Sequence, residues 1–157
     1  MPDNTSPFRS LQLIYRALLW GQILFLIVAL IVASTIAKRA ASEELDRQLQ
    51  VIAVLVSFSA FIIGSRVFKK NLFQARNANI SAKQKLAMYR KASLIQWALM
   101  DVATVFCIVG YIVTHNFSFI GLALLMLVIF GGMNPFKSKV MLQLALSPSD
   151  VETLQQS

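Results

Sequence analysis

Apolar residues fall into four blocks: residues 13–36, 51–68, 92–114 and 117–133. A helix needs roughly 20 apolar residues to cross a hydrocarbon core about 30 Å thick. The first and third blocks meet that length, and the second and fourth approach it. The pattern predicts an all-α integral membrane protein, a four-helix antiparallel bundle. It also admits two tandem helical hairpins. Residues 1–12 form a cytoplasmic tail, 13–135 the four-span domain, and 136–157 a second cytoplasmic tail.

The polar segments between the blocks differ in kind. In residues 37–50, Lys38, Arg39 and Arg47 balance Glu43, Glu44 and Asp46 at helical spacings, so helical turns extending the spans are expected there. Residues 66–91 contain eight bases, Arg66, Lys69, Lys70, Arg76, Lys83, Lys85, Arg90 and Lys91, and no acid. This reads as a basic loop and hinge. Within it, residues 71–76 continue the second helix, 77–79 turn, and Ser81 is placed to cap the next helix. The turn at 114–118 is short, so the third and fourth helices should be antiparallel neighbours. Gly131, Gly132 and Pro135 end the fourth. Phe136, Val140, Met141 and Leu144 then share one side of an amphipathic segment, a candidate interfacial helix. Ser149 and Glu152 have capping-box spacing, so a last short acidic helix is expected, placed to dock on the basic segment.

Composition supports the membrane assignment. The 157 residues are 57% hydrophobic and 14% charged, where a soluble domain carries about a quarter charged residues. The net charge of +8 would suit nucleic acid on a soluble surface. Here the bases cluster at the ends of apolar blocks and only Phe73 and Tyr89 interleave with the central ones. That favours anionic lipid headgroups and speaks against nucleic acid as a partner. The eight central bases therefore read as an orientation signal with lipid contact, or as a docking surface for an acidic partner.

Charge also gives an orientation. Twelve of the fifteen Lys and Arg residues fall on one side of the four-span arrangement, and Lys38, Arg39 and Arg47 on the other. Lys and Arg accumulate on the cytoplasmic side. Both termini and the basic segment are therefore expected in the cytoplasm, with the chain in the cell (inner) membrane. Arg9 and Arg16 before an apolar run also resemble a signal peptide, but that run exceeds the 7–15 residues of such segments, so it should be retained as a span.

Asp101 is the only acid inside a span. A charged group there costs roughly 3 kcal/mol on insertion scales and is a functional candidate for that reason. Thr104 and Cys107 follow it on one helical face, with Gln96 on the flank. Gln22, Ser57 and Ser59 lie at similar depth on other spans. An intramembrane polar cluster of Asp101, Thr104, Gln22, Gln96, Ser57 and Ser59 is expected. It can serve as polar glue between helices, or as a proton or cation site in which Asp101 is the carboxylate. Ala60 and Gly64 are a small-xxx-small pair, which either admits a close helix or is a chance spacing. Offsets of 74 and 68 residues align short matches between the halves, as a tandem repeat would.

Other chemistry is thin. Cys107 is the sole cysteine, so it forms no internal disulfide and no cysteine zinc site. His115 is the sole histidine, in a turn. Asn116–Ser118 matches a glycosylation triplet close to a span. No phosphate loop, nucleophile elbow or zinc-protease motif is present, so neither a metal, a cofactor nor catalysis is expected. The partners expected are the bilayer with its anionic lipids, and either copies of this chain or a larger membrane complex.

The opening LIYRALLWGQILF, with Ile14-Tyr15, Leu18-Leu19 and Gly21-Gln22, and the tail KVMLQLALSPSDVETL resemble small uncharacterised four-helix bacterial membrane proteins. That resemblance implies the fold and carries no activity. Rotary-ATPase proteolipids also pair hairpins with one buried acid. They are rich in glycine, of which there are six here, and their acid lies on the second helix of a hairpin. Small multidrug exporters carry an acid in the first span, which this chain lacks. The function expected is an accessory or scaffolding membrane subunit, with a small Asp101-dependent transporter or channel as the alternative.

Overall fold

A computed structural model describes residues 7–35 and 42–146. They form five helices: α1 (Pro7–Thr35), α2 (Glu43–Asn77), α3 (Ala82–Thr114), α4 (Phe117–Gly131) and α5 (Lys137–Leu144). The first three are long and apolar enough to cross a membrane. At about 1.5 Å per residue, α2 and α3 are each about 50 Å long, well beyond a hydrocarbon core. α4, with 15 residues, is about 22 Å long. The Ser149–Glu152 capping box lies outside the described residues, as do Lys38 and Arg39.

Side chains set the helix starts. Ser42 accepts the Leu45 N–H, with Glu43, Glu44 and Asp46 in the first turn. Ser81 and Gln84 form a reciprocal capping box. Asn116 accepts from the Ser118 N–H and donates its amide to Asp46 Oδ2 at 2.7 Å. The turn between α3 and α4 is His115 and Asn116 alone. His115 adopts a left-handed conformation (φ 54°) that returns its N–H to the Tyr111 carbonyl. Both residues are thus committed to the turn.

Helix α3 is the centre of the bundle. It packs antiparallel to α2, where Ser57 faces Cys107 and Phe68 faces Tyr89, and antiparallel to α4, where Gly110 faces Phe119. It runs parallel to α1, through Tyr15–Trp97 and Gln22–Asp101. α1 and α2 share little contact; each reaches α3 and α4 instead. The helices therefore form a rhombus with α3 and α4 on its short diagonal. Tandem hairpins are not what is built: α2 packs on α3, and only the second half closes as an adjacent pair. The offset matches between the halves have no counterpart in packing.

The seams explain this arrangement. α1 buries Phe8, Leu11, Tyr15, Gln22, Leu26, Ala29 and Ala33, a three-and-four spacing. α2 buries Ala53, Ser57, Ala60, Gly64 and Ala75, all small. These small side chains let α3 approach, with Gln96 Cγ 3.4 Å from where a Gly64 Cβ would sit. A Cβ on Gly110 would lie 2.6 Å from the Phe119 ring, so glycine is needed where α3 meets α4. The small-xxx-small spacing of Ala60 and Gly64 is a packing seam.

The outward faces are apolar. Only 17% of α2's most apolar stretch lies inside the bundle, against 44% for α3. Trp20, Leu24 and Ile31 on α1 and Leu55, Phe58 and Ile63 on α2 point away from the core. Such a continuous belt fits a hydrocarbon surround.

The segment 66–91 is helix on both sides of a four-residue turn at 78–81, as expected from the continuation through 71–76 and the Ser81 cap. What the basic loop becomes is a projecting helical pair rather than a hinge. α2 and α3 run out of the bundle as a two-helix arm. No glycine or proline interrupts it, and Ala75, Leu86 and Tyr89 fill the seam between its helices. α5 also departs from expectation. Val140 and Leu144 are fully buried against the base of the arm and the start of α1. Its apolar face is therefore covered by protein rather than laid on a membrane surface. Phe136 and Leu142 lie on other faces and are exposed, Leu142 to 80%.

Candidate functional site

Two polar regions stand out, and the expected single cluster is divided between them and the seams. The first joins α1 to α3. Gln22 is on the buried seam of α1, only 3% exposed. Its Nε2 donates to Asp101 Oδ1 at 2.7 Å. Asp101 is half-buried at the edge of the α1–α3 contact. The Gln22 Oε1 is buried with no hydrogen-bond partner among the described residues.

The other expected members lie elsewhere. Thr104 is fully buried and its hydroxyl donates to the Met100 carbonyl, one turn back. Ser57 is buried on α2 with its Oγ 3.6 Å from Cys107 Sγ. Ser59 is exposed on the outer face of α2. Gln96 faces Gly64 of α2 rather than Asp101. Ser57 meets Cys107, about 9 Å further along α3 than Asp101 at 1.5 Å per residue, so it does not share the level of the Gln22–Asp101 pair. Ser59 and Gln96 differ in the face they occupy.

The second region was not read from the sequence. A cleft of about 120 Å³ lies where the arm leaves the bundle, lined by Phe68, Tyr89, Ser93, Gln96, Trp97, Met133, Lys139 and Gln143. The Tyr89 hydroxyl donates to Gln143 Oε1 at 3.1 Å, and the Phe68 and Tyr89 rings meet edge to face at 5.5 Å. Lys139 Nζ donates to the Gly132 carbonyl at 3.3 Å. Neither the Gln96 nor the Trp97 side chain has a hydrogen-bond partner among the described residues, where the buried unpaired side-chain atoms are Gln22 Oε1 and Asp46 Oδ1 instead. A signal existed: Tyr89, Ser93 and Gln96 recur at four and three residues on α3, and Lys139 and Gln143 at four on α5.

Beside the cleft, α4 ends against side chains. The Tyr15 hydroxyl sits 2.9 Å from the Phe130 carbonyl and 2.8 Å from that of Gly131. With Lys139 on Gly132, two side-chain donors are shared among three terminal carbonyls, the single Tyr15 proton lying between two of them, which eases the usual deficit at a helix C-terminus. The Tyr15 ring stacks on Phe130 at 5.2 Å and tilts against Trp97 at 5.3 Å, which fixes the wall of the cleft.

The basic residues line the arm. Arg66, Lys69, Lys70, Arg76, Lys83, Arg90 and Lys91 are exposed. Lys85 is half-buried and donates to the Arg76 carbonyl at 3.4 Å, near the α2 terminus. Phe73 is exposed among them. Two further grooves, of about 310 and 180 Å³, run between α2 and α4 and are lined mainly by apolar residues such as Val54, Phe61, Leu122 and Leu125. Among the described residues, no three His, Cys, Asp or Glu side chains gather as metal ligands would. No protein-family model matches the chain, and no curated protein or solved structure matches it either.

Proposed function

We propose that this chain is a non-enzymatic, four-span membrane protein that acts as an accessory or scaffolding subunit, with its basic arm as the cytoplasmic contact. The observation that carries this reading is the continuity of α2 and α3. The same two rigid helices form the apolar belt and the cationic arm, with four non-helical residues at the tip. A hairpin of this kind displays charge at a fixed distance from the bilayer.

Distance divides the eight bases by task. With Arg66 and Lys91 at the headgroups, Lys69, Lys70 and Arg90 stay within about 6 Å of that level, at 1.5 Å per residue. Arg76 and Lys83 then stand about 12–15 Å out, beyond the roughly 8 Å over which charge acts at physiological salt. The inner bases suit anionic lipid, and the tip suits an acidic protein partner or a larger complex. N- and C-termini on the arm's side agree with the bias of Lys and Arg, and α4 crosses at about 22 Å with local thinning of the bilayer.

Native mass spectrometry of the detergent-solubilised protein tests this. A partner or a defined oligomer is expected, and the partner should be lost when Arg76, Lys83 and Lys85 are all changed to Gln. A chain that remains monomeric and alone after gentle solubilisation removes the scaffold reading. For topology, a Ser81→Cys variant in a Cys107→Ala background should react with a membrane-impermeant maleimide only in opened cells.

One observation favours the transport alternative: Gln22 Oε1 is buried and unpartnered beside Asp101. A carrier built there should move protons or cations in proteoliposomes and lose that flux in Asp101→Asn. An accessory protein should show no flux and tolerate the change.

A further inference from the structure

We infer that the cleft at the base of the arm is a phosphate site, which takes the phosphate of an anionic lipid headgroup or of a free phosphate ester. The inference rests on the chain being embedded in a membrane, and it goes beyond the scaffold reading by assigning a ligand to residues outside the arm's charged surface.

The charge of the cleft is one-sided. Lys139 brings an ammonium with three donors, of which one is directed to the Gly132 carbonyl. Trp97 offers only a donor, Gln96 offers two on its amide, and Ser93 adds a hydroxyl. Tyr89 already uses its proton on Gln143. The lining contains one cation and no acid. The acceptors in the lining, the Gln96 and Gln143 carbonyls and the Ser93 and Tyr89 oxygens, are neutral, and its one formal charge is the Lys139 ammonium. The ligand that complements that charge and the open N–H donors is an anion rich in acceptor oxygens.

Place and size narrow the class. The cleft lies between the apolar belt and the basic arm, where a phospholipid headgroup would be. Its volume of about 120 Å³ far exceeds the roughly 10–15 Å³ that one water requires. A phosphate group fits, with Phe68, Met133 and the Trp97 ring to meet its carbon substituents. The carbonyls at the end of α4, which would repel an anion, are already covered by Tyr15 and Lys139. Basic pockets between membrane helices on the cytoplasmic side are known to suit such headgroups.

The test is lipid retention by the full chain. The protein is exchanged into mixed phosphatidylcholine and phosphatidylglycerol nanodiscs, released into detergent, and weighed by native mass spectrometry. Wild type should keep one phosphatidylglycerol per chain. Lys139→Met and Gln96→Leu should each lower that retention about tenfold, the scale of one charge-assisted contact. Lys137→Met, which removes the same charge two residues away on an exposed site, should not. Lys139→Arg should restore retention. Displacement of the lipid by millimolar inorganic phosphate assigns the site to free phosphate, and resistance assigns it to the lipid headgroup. Equal loss in Lys137→Met and Lys139→Met, or loss in neither, overturns the site. If Lys139→Met fails to fold, Gln96→Leu is compared with Gln74→Leu on the arm, and equal retention in those two overturns it. A chain that extracts from membranes without detergent would instead remove the membrane reading itself.

Discussion

The Gln22–Asp101 pair and the cleft around Gln96 and Lys139 each hold a glutamine of α1 or α3, yet one glutamine meets an acid and the other lies beside a base. In the first, the Gln22 amide N–H donates to the Asp101 carboxylate across the α1–α3 contact at 2.7 Å, while Gln22 Oε1 stays buried without a partner among the described residues. In the second, the Gln96 amide and the Trp97 indole line a cleft beside the Lys139 ammonium and make no side-chain hydrogen bond among the described residues. The first region is held together by its own polar contact. The second depends on packing: Tyr15, Phe130, Trp97 and Phe68 shape its walls whether or not anything fills it. Polar groups inside a bundle thus serve two ends, and the hydrogen-bond partner rather than the residue type tells which.

Mutations that separate stability from binding can break this comparison. The largest effect is expected from Gln22→Leu, which leaves Asp101 without its donor; about 2–3 kcal/mol of stability should be lost, read by thermal or denaturant unfolding in detergent. The double variant Gln22→Leu/Asp101→Leu should recover most of it, since two apolar partners leave nothing unpaired. Equal losses in the single and double variants would show that the pair is not what holds α1.

Gly64→Leu comes next. The new side chain meets Gln96 Cγ where α2 touches α3, and overpacking there should cost about 1–3 kcal/mol. Because Gln96 also lines the cleft, anionic lipid retention should fall with it. Unchanged retention despite the stability loss would separate the seam from the cleft.

Asp101→Asn should cost under about 1 kcal/mol, because an amide oxygen still accepts from Gln22. A larger loss would mean that the charge itself matters. Gln96→Leu is the smallest, within about 0.5 kcal/mol, since no protein hydrogen bond is lost. Lipid retention should nevertheless drop. Stability and retention falling together would place Gln96 among the structural residues.

Much of this arrangement is written in the chain, residue by residue. The apolar blocks gave the helices, Ser81 with Gln84 gave the start of α3, and the two residues His115 and Asn116 forced α3 and α4 side by side. Asp101 and Gln22 were named as neighbours from their common depth. Ser57 and Ser59 are expected at that depth and Thr104 on the same face as Asp101. Instead Ser57 meets Cys107, Ser59 is exposed and Thr104 turns to the Met100 carbonyl, because counting along a helix fixes neither the register between helices nor the direction of a side chain. In the basic segment the helix ends and the Ser81 cap are legible, whereas the packing of its two helices as an arm is not, because Ala75, Leu86 and Tyr89 form a seam only once the two helices meet.

What the sequence determined by itself is local: where helices begin and end, which stretches are apolar enough for a membrane, and that one segment carries eight bases with no acid. Those follow from propensity, capping and hydropathy, which act over a few residues. What only the tertiary structure decided is which helices touch. The small seam of α2 selects α3 over α1, and Val140 and Leu144 of α5 find the arm rather than a lipid surface. The cleft exists only through that choice, since its lining comes from α2, α3, the end of α4 and α5, as much as 75 residues apart in the chain.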